Sequence, residues 1–179
     1  MDLYLHIGTE KTGTSSVQNF FAANRELLAR KGVLYPESPG ARNHIGLAAA
    51  AQDLSGMGPL RKLLGLKDRA EVELYRRKLA AGLEAEYRSR AFKTVVMSGE
   101  HCSSRLVDDE EVQWLKDMLS PHFEKIKIVI YLRRQDDYLL SIYSTSVKSG
   151  AKFPLDIPPQ RNAGKPRDQM SGLRRDDFP

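Results

Sequence analysis

The chain has 179 residues, 41% of them hydrophobic and 28% charged, with a formal net charge of +5. Those values fit one globular domain with a sizeable core. The scattered Lys and Arg exclude the dense basic block of a nucleic-acid binder, and the lone Cys102 excludes an intramolecular disulfide and a multi-cysteine metal site. His6, His44, His101 and His122 lack paired ligand spacing, so no metal is expected. Met1 to Ile7 has neither the basic start nor the apolar length of a secretory signal, and no apolar run approaches membrane-spanning length, so a cytoplasmic setting is expected.

In chain order, Leu3 to Ile7 predicts a buried strand that runs into a loop at Gly8. Val17, Phe20, Phe21, Leu27 and Leu28 then recur at helical spacing, with Gly32 as the stop. Val33 to Tyr35 predicts a second short strand closed by Pro36, and residues 36–43 a loop. Ile45 to Leu54 predicts a helix broken by Gly56 to Pro59. Arg69 to Arg90 predicts an amphipathic helix with Val72, Leu79, Leu83 and Tyr87 on one side. Thr94 to Met97 predicts a buried strand ending at Ser98-Gly99. Asp108 to Leu119 predicts a helix with Val112 and Leu115 facing inward.

Ile126 to Leu132 carries the strongest strand signal in the chain, and a helix is expected from about Asp136 to Ser149, stopped by Gly150. Apolar strands alternating with helices predict an α/β fold of three layers, a central parallel sheet flanked by helices. The domain is expected over residues 1–153. Residues 154–179, polar and rich in proline, read as a tail or linker.

The loop Gly8-Thr9-Glu10-Lys11-Thr12-Gly13-Thr14-Ser15-Ser16 lies between a predicted strand and a predicted helix. A helix start offers free N–H groups and positive potential to an anion. Gly8 and Gly13 permit a tight turn and close approach of a phosphate, and Thr12, Thr14, Ser15 and Ser16 add hydroxyl donors. The spacing nearly matches the G-x-x-x-x-G-K-[ST] phosphate loop, but Thr14 stands where the lysine belongs and the lysine comes earlier, at Lys11. A Mg²⁺-dependent kinase needs the later lysine, so that reading is disfavoured. The plainer alternative is a Gly-rich strand–helix turn with an exposed lysine.

"HIGTEKTGTSSVQ" resembles the 5′-phosphosulfate motif of the PAPS-dependent sulfotransferases, which implies a P-loop-like fold with PAPS as co-substrate. By that resemblance Lys11 binds the bridging oxygen and stabilises the leaving phosphate. Gly13, Thr14, Ser15 and Ser16 hold the 5′-phosphate. A second segment, "IVIYLRRQDDYLLSIYSTSVKSG", resembles the family's 3′-phosphate motif, a strand-terminal arginine with a serine eight positions later. Arg133 and Ser141 fit that spacing, and an arginine fork suits a phosphate. Arg134 either faces solvent or pairs with Asp136 or Asp137.

Transfer to a hydroxyl also calls for a base. The resemblance implies either glutamate or histidine, and "SGEH" after the third predicted strand offers Glu100 and His101, with Glu100 favoured. His44 reads as a polar loop residue with acceptor lining as the alternative, Cys102 as a small buried residue, and Trp114, Tyr138 and Tyr143 as packing residues. The expected partner is a hydroxyl-bearing acceptor, with a saccharide as the leading class, and not nucleic acid. The resemblance covers residues 3–35, 94–103 and 126–150. Its later Gly- and basic-rich segment has only Gly164-Lys165 and Gly172 to Arg175 as candidates. The chain is therefore expected to be truncated, to lack a lid, or to complete its site with a partner. A catalytically degenerate nucleotide-binding or assembly module of the same fold is the alternative function.

Overall fold

In a computed structural model of the chain, which describes residues 1–150 and Lys152, four strands form one all-parallel sheet. They are β1 (Asp2–His6), β2 (Val33–Leu34), β3 (Thr94–Ser98) and β4 (Lys125–Val129), in the spatial order β2-β3-β1-β4. Parallel neighbours cannot be joined by tight turns, so helices fill every crossover. These are α1 (Thr14–Ala23), α2 (Arg25–Arg30), α3 (Ile45–Ala51), α4 (Pro59–Leu63), α5 (Arg69–Arg88), α6 (His101–Arg105) and α7 (Asp109–Leu119), and α8 (Gln135–Lys148) follows β4. The compact unit of interest is Met1–Ile142. The remainder, from Tyr143, contributes the end of α8 and a turn at Gly150.

Alternation in β1 and β3 sends Leu3, Leu5, Val95 and Met97 into the core, all at most 3% exposed. Burying each such side chain stabilises the fold by roughly 1.5–3 kcal/mol. Leu79, Leu83 and Tyr87 of α5, and Leu115 and Leu119 of α7, pack into the same core. α3 is the most deeply buried helix, and its run Leu47 to Ala51 has almost no exposed surface. At Gly46 there is no room for a side chain. A Cβ on Gly46 would lie 2.1 Å from the Tyr75 hydroxyl and 2.7 Å from the Pro39 carbonyl oxygen.

Several expectations need correction. The helix after the first loop is two helices, because the Asn24 side chain and backbone N–H both turn back to Phe20 O and end α1. α3 stops at Ala51, and α4 and α6 are short helices that the periodicity did not announce. Val112 is 53% exposed. The inward face of α7 instead runs Glu111, Leu115, Leu119, with the Glu111 carboxylate accepting from the N–H groups of Asp53 (2.9 Å) and Val107 (2.8 Å). β4, expected to be buried, is an edge strand among the described residues and ends at Val129. Ile128, Ile130 and Leu132 are exposed, and Leu115, Leu119, Phe123 and Ile126 line an open apolar groove of about 520 Å³ beside it. The expected tail, and Gly164-Lys165 and Gly172 to Arg175, lie outside the described residues.

Candidate functional site

The strand order itself selects one end of the sheet. From β1 the chain crosses to the β2 edge, whereas from β3 it crosses to β4 on the other side. The connections diverge between β1 and β3, and ligands of open α/β sheets bind in the crevice at the carboxyl ends of such strands. Register pairs His6 with Ser98 and with Val129, so Gly8, Glu100 and Tyr131 each stand two residues past the paired ends.

The Gly8–Gly13 loop is tied down from both sides. Thr9 N–H donates to Tyr131 O (3.0 Å), Tyr131 N–H donates to Gly8 O (2.8 Å), and Arg133 Nη1 donates to Lys11 O (3.2 Å). On the other side Ser104 Oγ donates to the Glu10 carboxylate at 2.8 Å. The backbone bends through left-handed conformations at Gly8 (φ 98°), Lys11 (φ 64°) and Gly13 (φ 86°). Left-handed geometry at a non-glycine residue is costly and persists where its surroundings over-determine it. Gly13 opens α1 without a side-chain cap and Ser16 N–H turns back to Gly13 O (3.0 Å), so the N–H groups of Thr14 and Ser15 have no intrahelical partner, the arrangement that suits an anion.

Glu100 is the side chain that joins this loop to the rest of the crevice. Thr14, the first residue of α1 and buried, donates its hydroxyl to Glu100 Oε2. Asn43 Nδ2 donates to Oε1 at 3.4 Å. The two backbones are packed together as well, since a Cβ on Gly8 would sit 3.2 Å from Glu100 Cα. Asn43 has no sequence signature and was legible only as one residue of a polar loop.

The loop that carries Asn43 is built rigidly. The Glu86 carboxylate accepts from the N–H groups of Glu37 and Ser38 and from the Ser38 hydroxyl. The Tyr35 hydroxyl donates to Arg42 O (2.6 Å), and its ring lies 4.3 Å from that of His44.

His44 is fully buried and structural. Ser98 N–H donates to its Nδ1 at 3.1 Å, which leaves the proton on Nε2, 3.0 Å from Pro36 O. It therefore docks the loop onto the end of β3, and acceptor lining is not its place. Burial pushes the ring down to about 3. The unfolded ring takes a proton near 6.5 and the folded one refuses it, so this stability is present above about 6.5 and is lost as pH falls toward 3. His6 and His101 are also lowered, by burial first, which adds the same sign. Between pH 7.5 and 4.5 the protein should lose about 2–3 kcal/mol. Urea midpoints across that window check it, and His44→Gln should flatten the acid limb. An unchanged slope in the variant would refute the assignment.

The sequence-derived candidates thus occupy distinct positions. Gly8, Thr14 and Glu100 meet, and Arg133 reaches Lys11. Ser15 and Ser16 are exposed on the first turn of α1. Thr12 directs its hydroxyl back to Thr9 O at 2.5 Å, closing the loop. Ser141 lies half-buried on α8, and both it and Lys11 have partners of their own. His101 opens α6 half-buried with Nδ1 enclosed, and among the described residues it is Glu100 that bonds to the loop. Arg134 pairs with Asp136 (3.2 and 2.7 Å), while Cys102 is buried with its thiol pushed up to about 12. Beside the loop, buried His6 shares a 2.7 Å hydrogen bond with Ser98 Oγ and lies 5.0 Å from the Tyr131 ring. The described residues contain no cluster of His, Cys, Asp or Glu able to hold a metal ion and no helix long and apolar enough to cross a membrane. Compared with protein-family models, curated proteins and solved structures, the chain matches none of them.

Proposed function

We propose that this chain is a PAPS-dependent sulfotransferase with a P-loop-like donor site, acting in the cytoplasm on a hydroxyl acceptor such as a saccharide. The observation that carries the reading is the 3.2 Å hydrogen bond from Arg133 Nη1 to Lys11 O, which sets the second motif against the first loop. That contact joins two segments 122 residues apart, which supports the reading that they hold the two phosphate ends of one adenosine bisphosphate. The uncapped start of α1 at the β1–β3 divergence supports the same placement.

In this reading Thr14, Ser15 and Ser16 hold the 5′-phosphate, with Gly8 and Gly13 shaping the turn and Thr12 bracing it. Arg133 and Ser141 hold the 3′-phosphate. The acceptor oxygen forms a bond to sulfur as the bond from sulfur to the bridging phosphate oxygen breaks. Lys11 offsets the charge on the departing phosphate, and the acceptor proton passes to Glu100. Glu100 is favoured over His101 because its carboxylate is the group held at the loop.

The test is nucleotide-linked stabilisation by adenosine 3′,5′-bisphosphate (PAP). At about 100 times its dissociation constant, PAP should add about 2.7 kcal/mol, which raises the melting temperature by roughly 5–10 °C. Arg133→Ala should lose most of that shift. An unmoved melting temperature refutes the donor site, and a larger shift with Mg-ATP than with PAP points to a kinase. PAP binding without transfer to any sugar, phenol or alcohol acceptor would leave a nucleotide-binding module.

A further inference from the structure

Thr14 has two claims on a single proton. Its hydroxyl donates to Glu100 Oε2, and the reading above, on which this inference rests, asks the same hydroxyl to donate to the 5′-phosphate. A threonine hydroxyl carries one donor hydrogen, so it cannot serve both anions at once. We infer that Thr14 is a positioning residue that makes the base conditional on the donor: it restrains the Glu100 carboxylate until a phosphate claims its proton, and that exchange releases Glu100 to act on the acceptor.

The surroundings limit how the exchange can happen. Glu100 does not shift as a whole, because it is the N-cap of α6 and its carbonyl accepts from the Ser103 N–H (3.2 Å) and hydroxyl (3.0 Å). Thr14 is 3% exposed and fixed at the first position of α1. What remains is rotation of the carboxylate about its other contact, Asn43 Nδ2 on Oε1. Asn43 sits beside His44, which is bonded to the end of β3, so the tether stays in place while Oε2 is released. Without nucleotide, the carboxylate is the anion at the start of α1, where a helix end favours negative charge. An arriving phosphate therefore displaces it against like-charge repulsion, and donor affinity is lowered by the exchange.

Calorimetric titration of PAP into four proteins tests this: the parent, Glu100→Ala, Thr14→Val and the double variant. Removing the carboxylate should tighten PAP binding about tenfold where Thr14 is present, the scale of one charge-assisted hydrogen bond. In the Thr14→Val background the same change should gain at least threefold less, because only the repulsion is then relieved. Thr14→Ser should restore the full gain, and Glu100→Gln provides a second variant should Glu100→Ala fold poorly. If the parent binds PAP but the gain is absent, or equal in both backgrounds, the coupling is wrong and the proposed function stands. If the parent does not bind PAP, both fall.

Discussion

Lys11→Ala should lower kcat/KM for sulfuryl transfer by about 10²–10³-fold, with the loss mostly in kcat. In the proposed mechanism the lysine offsets charge that develops on the leaving phosphate, so removing it should cost the transition state more than the ground state. PAP, which is already a bisphosphate, should lose less affinity than PAPS loses rate. The position also constrains the choice of variant. Lys11 has φ 64°, and its carbonyl accepts the Arg133 hydrogen bond, a contact that the substitution keeps because it belongs to the backbone. Melting temperature and PAP titration therefore serve as controls, and transfer at the parent rate would remove Lys11 from the chemistry. Lys11→Arg retains the charge but spreads it over a planar fork, so partial recovery is expected.

Arg61→Met, at the carboxyl end of α3, should produce the largest loss of stability, about 3 kcal/mol or more. Arg61 is 1% exposed, and its guanidinium donates to the carbonyls of Ala49 (3.1 Å), Asp53 (2.6 Å), Gly56 (2.8 Å) and Gln52. Arg76 adds bonds to Ala50 (2.7 Å) and Gln52 (3.0 Å). Together they satisfy the carbonyls at the end of α3, where a cation also suits the helix dipole. Methionine fills much of the volume but strands those acceptors in the interior. A fall of roughly 6–12 °C in melting temperature is expected at this size, and Arg61→Lys should recover part of it. Arg69→Ala, which breaks an exposed pair with Glu73, should change stability by under about 1 kcal/mol. A drop no larger for Arg61→Met than for Arg69→Ala would mean that α3 is held by its apolar contacts alone.

The Arg61 cluster is connected to the crevice through α3. Its carboxyl end is secured by Arg61 and Arg76, and its amino end carries Asn43 and His44 to the crevice. Damage at Arg61 should therefore reach Glu100 by loosening Asn43, with PAP affinity falling less than stability.

What the sequence determined by itself was local. Short apolar runs marked β1 and β3, an amphipathic pattern marked α5, and the segment up to Gly150 marked α8, each to within a residue or two, and two glycines around Lys11 marked the turn that the structure bends through left-handed φ. An apolar run also predicted β4, but a run cannot say whether a strand is central or at an edge, and the exposure of Ile128 and Ile130 came from the strand order. The rest was decided by the tertiary structure, because it depends on contacts between residues far apart in the chain. Nothing around Asn43 marks it as a partner of Glu100, 57 residues away. Nothing near Arg61 foretells that a charged side chain will be buried, since burial became tolerable only when the turn after α3 presented its carbonyls. Side-chain chemistry is written one residue at a time, whereas desolvation and hydrogen-bond partners exist only once the chain has folded back on itself.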